Sequence, residues 1–208
     1  MVKVRRRGRR LPDVLTAEEQ KALLVQVNPK VPTGLRNTCI LRVMLDAGLR
    51  VSEVTNLRVR DVDLNTGKIM IREGKGKKDR ALWVRGETLD LFRQWMDIKP
   101  QSDFFFTTLK GGKLDDRYIR QLVDRVAVKA GIQEYQTRVN EAGEEYQESK
   151  VHPHTLRHTF ATDFYRETRD IRMTQKALGH SDLSTTMIYT HIVDDDLEEA
   201  MKSFRGGE

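Results

Sequence analysis

Between residues 60 and 84 three short segments read as strands: Arg60–Leu64, Lys68–Glu73 and Arg80–Val84. Asn65-Thr66-Gly67 links the first to the second, and Gly74-Lys75-Gly76-Lys77-Lys78 links the second to the third. Links this short are turns, and they permit only antiparallel pairing. Most of the remaining pattern is helical. Thr16-Ala17-Glu18-Glu19 is a capping box ahead of an apolar stripe of Leu23, Leu24 and Val27. A second helix is predicted over 35–47, with Gly48 as its left-handed stop, and Ser52 is expected to cap a third through Asn56. Further helices are predicted over 87–98, 115–130, 155–167, 170–178, 184–190 and 194–204, with Gly179 closing the one that ends at Leu178. Asp103–Thr108 is a candidate strand, and the polar stretch 131–150 reads as a surface hairpin or loop turning at Asn140–Gly143. The fold class is therefore α+β, mainly helical, with a small antiparallel three-stranded sheet.

Charge narrows the choice of partner. Of 208 residues, 33% are charged and the formal net charge is +6. Residues 1–10 hold six basic side chains and no acid, which equals the whole excess. An arm of this kind settles on phosphates by releasing counterions. A single cysteine, Cys39, lies in an apolar run, so no intramolecular disulfide forms and a reducing cytoplasm is expected. No stretch approaches the ~18 apolar residues of a membrane span, and no apolar h-region follows the basic start.

The residues able to do chemistry concentrate near the C-terminus. His154 and Arg157 open the string H-T-L-R-H-T-F-A-T, and His180 and Tyr189 belong to L-G-H-S-D-L-S-T-T-M-I-Y-T-H. Arg50 and Glu53 sit in G-L-R-V-S-E, where the acid can hold the guanidinium. Arginine forks bind non-bridging phosphate oxygens, imidazoles exchange protons near neutrality, and a phenol can serve as nucleophile. That set suffices for attack on a phosphodiester without a metal. Taken singly each feature has a plainer reading: a surface Arg–Glu pair, a structural histidine, a core tyrosine. Lys75 sits in a glycine-flanked turn whose spacing does not fit a phosphate-binding P-loop. His152, His154 and His158 cluster, but no cysteine or carboxylate lies at ligand spacing and Pro153 separates the first pair, so no metal is expected.

Read together, these strings resemble the catalytic domain of the tyrosine recombinases, the phage integrase family of Xer type, from about Leu15 to Phe204. The resemblance implies a basic arm over 1–14 and a catalytic domain over 15–208. The separate N-terminal DNA-binding domain usual in the family is not among these residues, which fits either an excised domain or a minimal protein. It also implies site-specific DNA cleavage and rejoining through a 3′-phosphotyrosine on Tyr189, without a cofactor. Arg50 and Arg157 would stabilise charge on the phosphate, His154 act as base, Lys75 as acid, His180 hydrogen-bond the phosphate, and Glu53 support the site. Lys77 and Lys78 lie close enough to compete for the role of acid. Double-stranded DNA is the expected partner, contacted by Arg5, Arg6, Arg7, Arg9, Arg10, Lys77 and Lys78, with the protein on the nucleoid. Assembly as a homo-oligomer on DNA is expected, the helix at 194–204 docking on a neighbour or packing on its own domain. The alternatives are relaxation of the type IB topoisomerase kind and a non-catalytic DNA-binding regulator.

Overall fold

The computed structural model describes residues 12–72, 79–140 and 142–192. Residues 1–11 of the basic arm, Lys75, Lys77, Lys78 and the helix expected at 194–204 lie outside them. Among the described residues eight α-helices and five strands follow in order: α1 (Ala17–Leu24), α2 (Pro32–Ala47), α3 (Val51–Asn56), β1 (Val62–Asp63), β2 (Lys68–Ile71), β3 (Arg80–Trp83), α4 (Gly86–Ile98), α5 (Asp116–Lys129), β4 (Tyr135–Val139), β5 (Glu145–Ser149), α6 (Pro153–Thr168), α7 (Ile171–Leu178) and α8 (Ile188–Ile192). The first three strands pair antiparallel in the order β1-β2-β3, with Ile69 opposite both Val62 and Leu82. β4 and β5 form a separate hairpin, so the polar stretch is a hairpin rather than an unstructured loop. Among the described residues no helix is long and apolar enough to cross a membrane.

The core is built around α2. Its residues Cys39, Ile40, Leu41, Val43 and Met44 are all fully buried, and α4 and α6 pack against it. Burial pushes the Cys39 thiol up to about 12, and its Sγ faces the Leu91 carbonyl at 3.4 Å, so it fills space and is inert. Leu15 N–H donates to Thr159 Oγ1 at 2.9 Å, fixing the entering chain to α6. A smaller cluster of Phe160, Ala161, Leu178 and Tyr189 joins α6, α7 and α8.

Four local expectations are corrected. Asp103–Thr108 is not a strand: it makes only isolated bridges, from Phe104 to Arg58 and from Thr107 to Lys113. Its apolar character reflects aromatic packing, with Phe105 4.8 Å from Phe92 and 4.9 Å from Phe106 between ring centroids. The first strand is shortened to Val62–Asp63 because Val59–Asp61 coils as a 3-10 turn. Ser52 lies inside α3 rather than at its cap: Arg50 is the N-cap, its backbone N–H donating to Glu53 Oε2 at 2.8 Å. Finally, the segment expected as one helix over 184–190 is a 3-10 turn at Leu183–Thr185 followed by α8.

Candidate active site

Three stretches far apart in sequence meet where α2 ends, where α6 begins and where α7 ends. Gly48 closes α2 and Gly179 closes α7, both left-handed at φ 63°. At Gly48 no other residue fits, because an added Cβ would stand 2.3 Å from the Phe160 ring. Each glycine turns the chain sharply and delivers a candidate residue just beyond it, Arg50 after the first and His180 after the second. Arg157, on the second turn of α6, lies between the two ends and is 4% exposed. Its Nη1 donates to the Gly48 carbonyl and its Nη2 to the Leu178 carbonyl. Carbonyls at helix C-termini carry partial negative charge, so two helix ends hold this buried cation. Burial, then the charge of Arg50, lowers its pKa to about 10, against the pull of Glu53, and the group remains cationic at neutral pH.

Glu53 is the hub of the cations. It accepts from Arg50 Nη1 at 2.8 Å and lies 3.9 Å from Arg157 Nη1. Arg80 grips it bidentately, Nη2 to Oε2 at 2.8 Å and Nη1 to Oε1 at 3.0 Å, and gives its Nε to the Ala177 carbonyl at 2.9 Å. Burial alone would raise the Glu53 carboxyl. The hydrogen bonds and charge of Arg80, then Arg50 and Arg157, outweigh it and hold the pKa below the usual carboxylate range. Arg80 thus ties β3 to α3 and to the end of α7, a position that sequence reasoning missed. Its signal was a charged residue at the start of a strand with an apolar continuation.

The histidines are kept neutral. His180, bonded through Nδ1 to Thr186 Oγ1 at 3.1 Å, is lowered to about 4 by burial, then by Arg157 and Arg50. His154 stands at the start of α6, open to solvent. Partial loss of hydration, then His152, Arg157, Arg120 and Arg50, hold its pKa below the ordinary value. Beside it opens a cleft of about 410 Å³ bounded by Val51, Arg120 and Gln121.

Tyr189 is 1% exposed. Burial pushes its phenol up to about 12, with the charge of Arg157 opposing. Its hydroxyl lies 2.8 Å from Nδ1 of His158, a residue outside the expected set. His154 and His158 are four apart on one face of α6, and that spacing was the available signal. Arg50, Glu53, His154, Arg157, His180 and Tyr189 are therefore gathered in one region. Paired guanidiniums, neutral imidazoles and a phenol in one region suit nucleophilic attack at phosphorus.

Residues 13–195 match the model of the phage integrase family. Over 186 residues the chain is 37% identical to tyrosine recombinase XerC of Xanthomonas axonopodis pv. citri (strain 306), covering 88% of this chain and 55% of that protein. The chain thus spans little more than half the length of that relative. The crystal structure of XerA recombinase is similar at a TM-score of 0.76 and 32% identity, over 96% of this chain and 68% of that one. A post-cleavage complex of XerH site-specific recombinase bound to palindromic difH substrate is similar at a TM-score of 0.72 and 30% identity, over 94% of this chain and 54% of that one.

Proposed function

The chain belongs to the phage integrase family, and from that premise we propose that it cleaves and rejoins double-stranded DNA at specific sites through a 3′-phosphotyrosine on Tyr189. The reading rests on one feature, the buried carboxylate of Glu53 with Arg50, Arg80 and Arg157 gathered on it. Arg50 is the most exposed of the three, its side chain 30% accessible, and so is the one that a phosphate reaches most readily. Charge that grows on the equatorial oxygens during attack meets Arg50 and Arg157, and losing such a donor costs ~10²–10³ in rate. The Tyr189 oxygen forms the new bond to phosphorus and the 5′-oxygen leaves, taking a proton from Lys75. His180 and His154, neutral near pH 7, act at the phosphate and as proton acceptor. The phosphoester energy stays in the protein–DNA bond, so a 5′-hydroxyl can reverse the step without ATP.

Residues 1–14 serve as a basic arm on phosphates and 15–208 as the catalytic domain, with 194–204 coupling neighbouring copies on DNA.

Covalent trapping on a library of nicked duplexes tests the reading. Wild-type protein should give a denaturant-resistant adduct that persists in EDTA. Tyr189→Phe should bind the selected duplex equally well and give none. An adduct of the same mobility from Tyr189→Phe would refute the assignment.

A further inference from the structure

Tyr189 is seated by a residue that the expected set does not contain. The hydroxyl of Tyr189 and Nδ1 of His158 are 2.8 Å apart, well within hydrogen-bond range. His158 is partly buried, and it lies between the phenol and a cleft of about 200 Å³ that Asp13, Glu148 and His152 also line. A side chain needed only to fill this space could be apolar. Facing a buried hydroxyl, an apolar side chain would leave that hydroxyl without a partner.

We propose that His158 is a positioning residue for the nucleophile: its neutral ring accepts the phenolic hydrogen bond through Nδ1 and aims the Tyr189 oxygen toward the Arg50–Arg157 phosphate site. The proposal rests on the reading of Tyr189 as nucleophile. Only one tautomer satisfies it, with Nδ1 bare and the hydrogen on Nε2. The proton stays on the phenol in the resting protein, because burial raises Tyr189 to about 12 while burial, then His154, His152 and Arg157, lowers His158 to about 4. The contact therefore fixes direction without ionising the nucleophile. Ionisation awaits the phosphate, whose arrival brings the proton acceptor and the arginine pair into play. His154 and His158, one turn apart on α6, divide the work: the outer ring meets solvent and substrate, the inner ring holds the phenol.

The test compares His158→Asn with His158→Leu on a nicked duplex selected by the wild-type protein from the library. Asparagine places Oδ1 close to where Nδ1 stands and can still accept; leucine fills the space and cannot. In single-turnover adduct formation at saturating DNA, the leucine variant should be slower by about 10–100-fold, with unchanged DNA affinity. The asparagine variant should recover most of that loss. Leucine cleaving as fast as wild type, or both variants being equally slow, would overturn the proposal. An adduct formed by Tyr189→Phe would instead overturn the nucleophile assignment itself, so the two failures are distinguishable. A measurement on the unsubstituted side chain stands even if a variant folds poorly. The protein has 5 histidines, so ¹⁵N-imidazole spectra can be assigned. His158 Nδ1 should read as an unprotonated acceptor whose shift moves in Tyr189→Phe. A protonated Nδ1, or a shift indifferent to that change, would overturn it.

Discussion

Arg80→Met removes a charge from the centre of the site while keeping an unbranched side chain of comparable reach. The wild-type side chain is 5% exposed and that of Glu53 is 10%, so the pair is shielded from water. The hydrogen bonds lost include two to the Glu53 carboxylate at 2.8 and 3.0 Å and one to the Ala177 carbonyl at 2.9 Å. Breaking a buried ion pair by removing one partner costs about 3–5 kcal/mol. Glu53 keeps Arg50 at 2.8 Å and Arg157 at 3.9 Å, which argues for the lower end. A loss of ~3 kcal/mol lowers the melting temperature by roughly 6–12 °C in a chain of this size. A double-mutant cycle with Glu53→Gln, followed by urea unfolding, should give a coupling of about 1–3 kcal/mol. The pH dependence carries a second signature. Because the folded Glu53 pKa lies below its ordinary 4.5, its contribution is present above that value and is lost as pH falls through the depressed one. The wild-type advantage over Arg80→Met should therefore shrink in acid. An Arg80→Met protein within ~1 kcal/mol of wild type at neutral pH would refute the hub, since that is the range of an ordinary substitution.

Gly48→Ala should cost about 1–2 kcal/mol for the left-handed backbone and ~1–3 more for the clash with Phe160, read as a lower melting temperature. Gly179→Ala should cost less, its methyl meeting the end of the Arg80 side chain at 3.0 Å. Stability should fall as pH is lowered from 6.5 toward 4: His158 and His180 titrate near 4 when folded against an ordinary 6.5, so the unfolded chain binds more protons in that window. Calorimetry should show a shallower fall for His180→Gln, and a flat wild-type profile would contradict the assignment. Lys75→Ala should slow cleavage of a normal phosphodiester and be largely rescued by a 5′-bridging phosphorothiolate, whose thiol leaves without protonation. Equal impairment on both substrates would move the role of acid to Lys77 or Lys78.

Helix stops and caps were the most legible part of the sequence. Gly48 was read as a left-handed stop and Gly179 as a helix end, and both glycines are left-handed, because a glycine after an apolar helical stripe has few other uses. The Thr16–Glu19 box closes in both directions, at 3.2 and 2.9 Å. Asp103–Thr108 misled because a run of aromatics looks alike whether it pairs as a strand or fills a core. Ser52 misled because its side chain suits a cap, while the Glu53 carboxylate, one residue on, does the capping from inside the helix. At the site, local strings pointed to Arg50, His154, Arg157, His180 and Tyr189. They disclosed Glu53 as the partner of Arg50, three residues on, but not the partners that lie far along the chain. Arg80 meets Glu53 across 27 positions and His158 meets Tyr189 across 31. Pairings at that distance are fixed by packing and leave no short-range pattern.

The two glycines explain why the site needs no dedicated scaffold. The last carbonyls of any helix have no partner within it; the left-handed turn at Gly179 pairs those of Gln175 and Lys176, and a buried carbonyl beyond them demands a donor. Here α2 and α7 end side by side, and Arg157 supplies donors to both, to Gly48 and to Leu178. The residue that would clamp a phosphate therefore also satisfies the helix ends from which Arg50 and His180 emerge. Lysine could not replace it, having one nitrogen where two separated carbonyls and a carboxylate need a planar fork. Arg80 repeats the arrangement one layer out, giving Nε to the Ala177 carbonyl and its fork to Glu53. Two buried arginines, two helix ends and one carboxylate thus form a single hydrogen-bonded unit. Its members cannot shift separately, and that holds the Arg157 guanidinium in place beside Glu53 and Arg50.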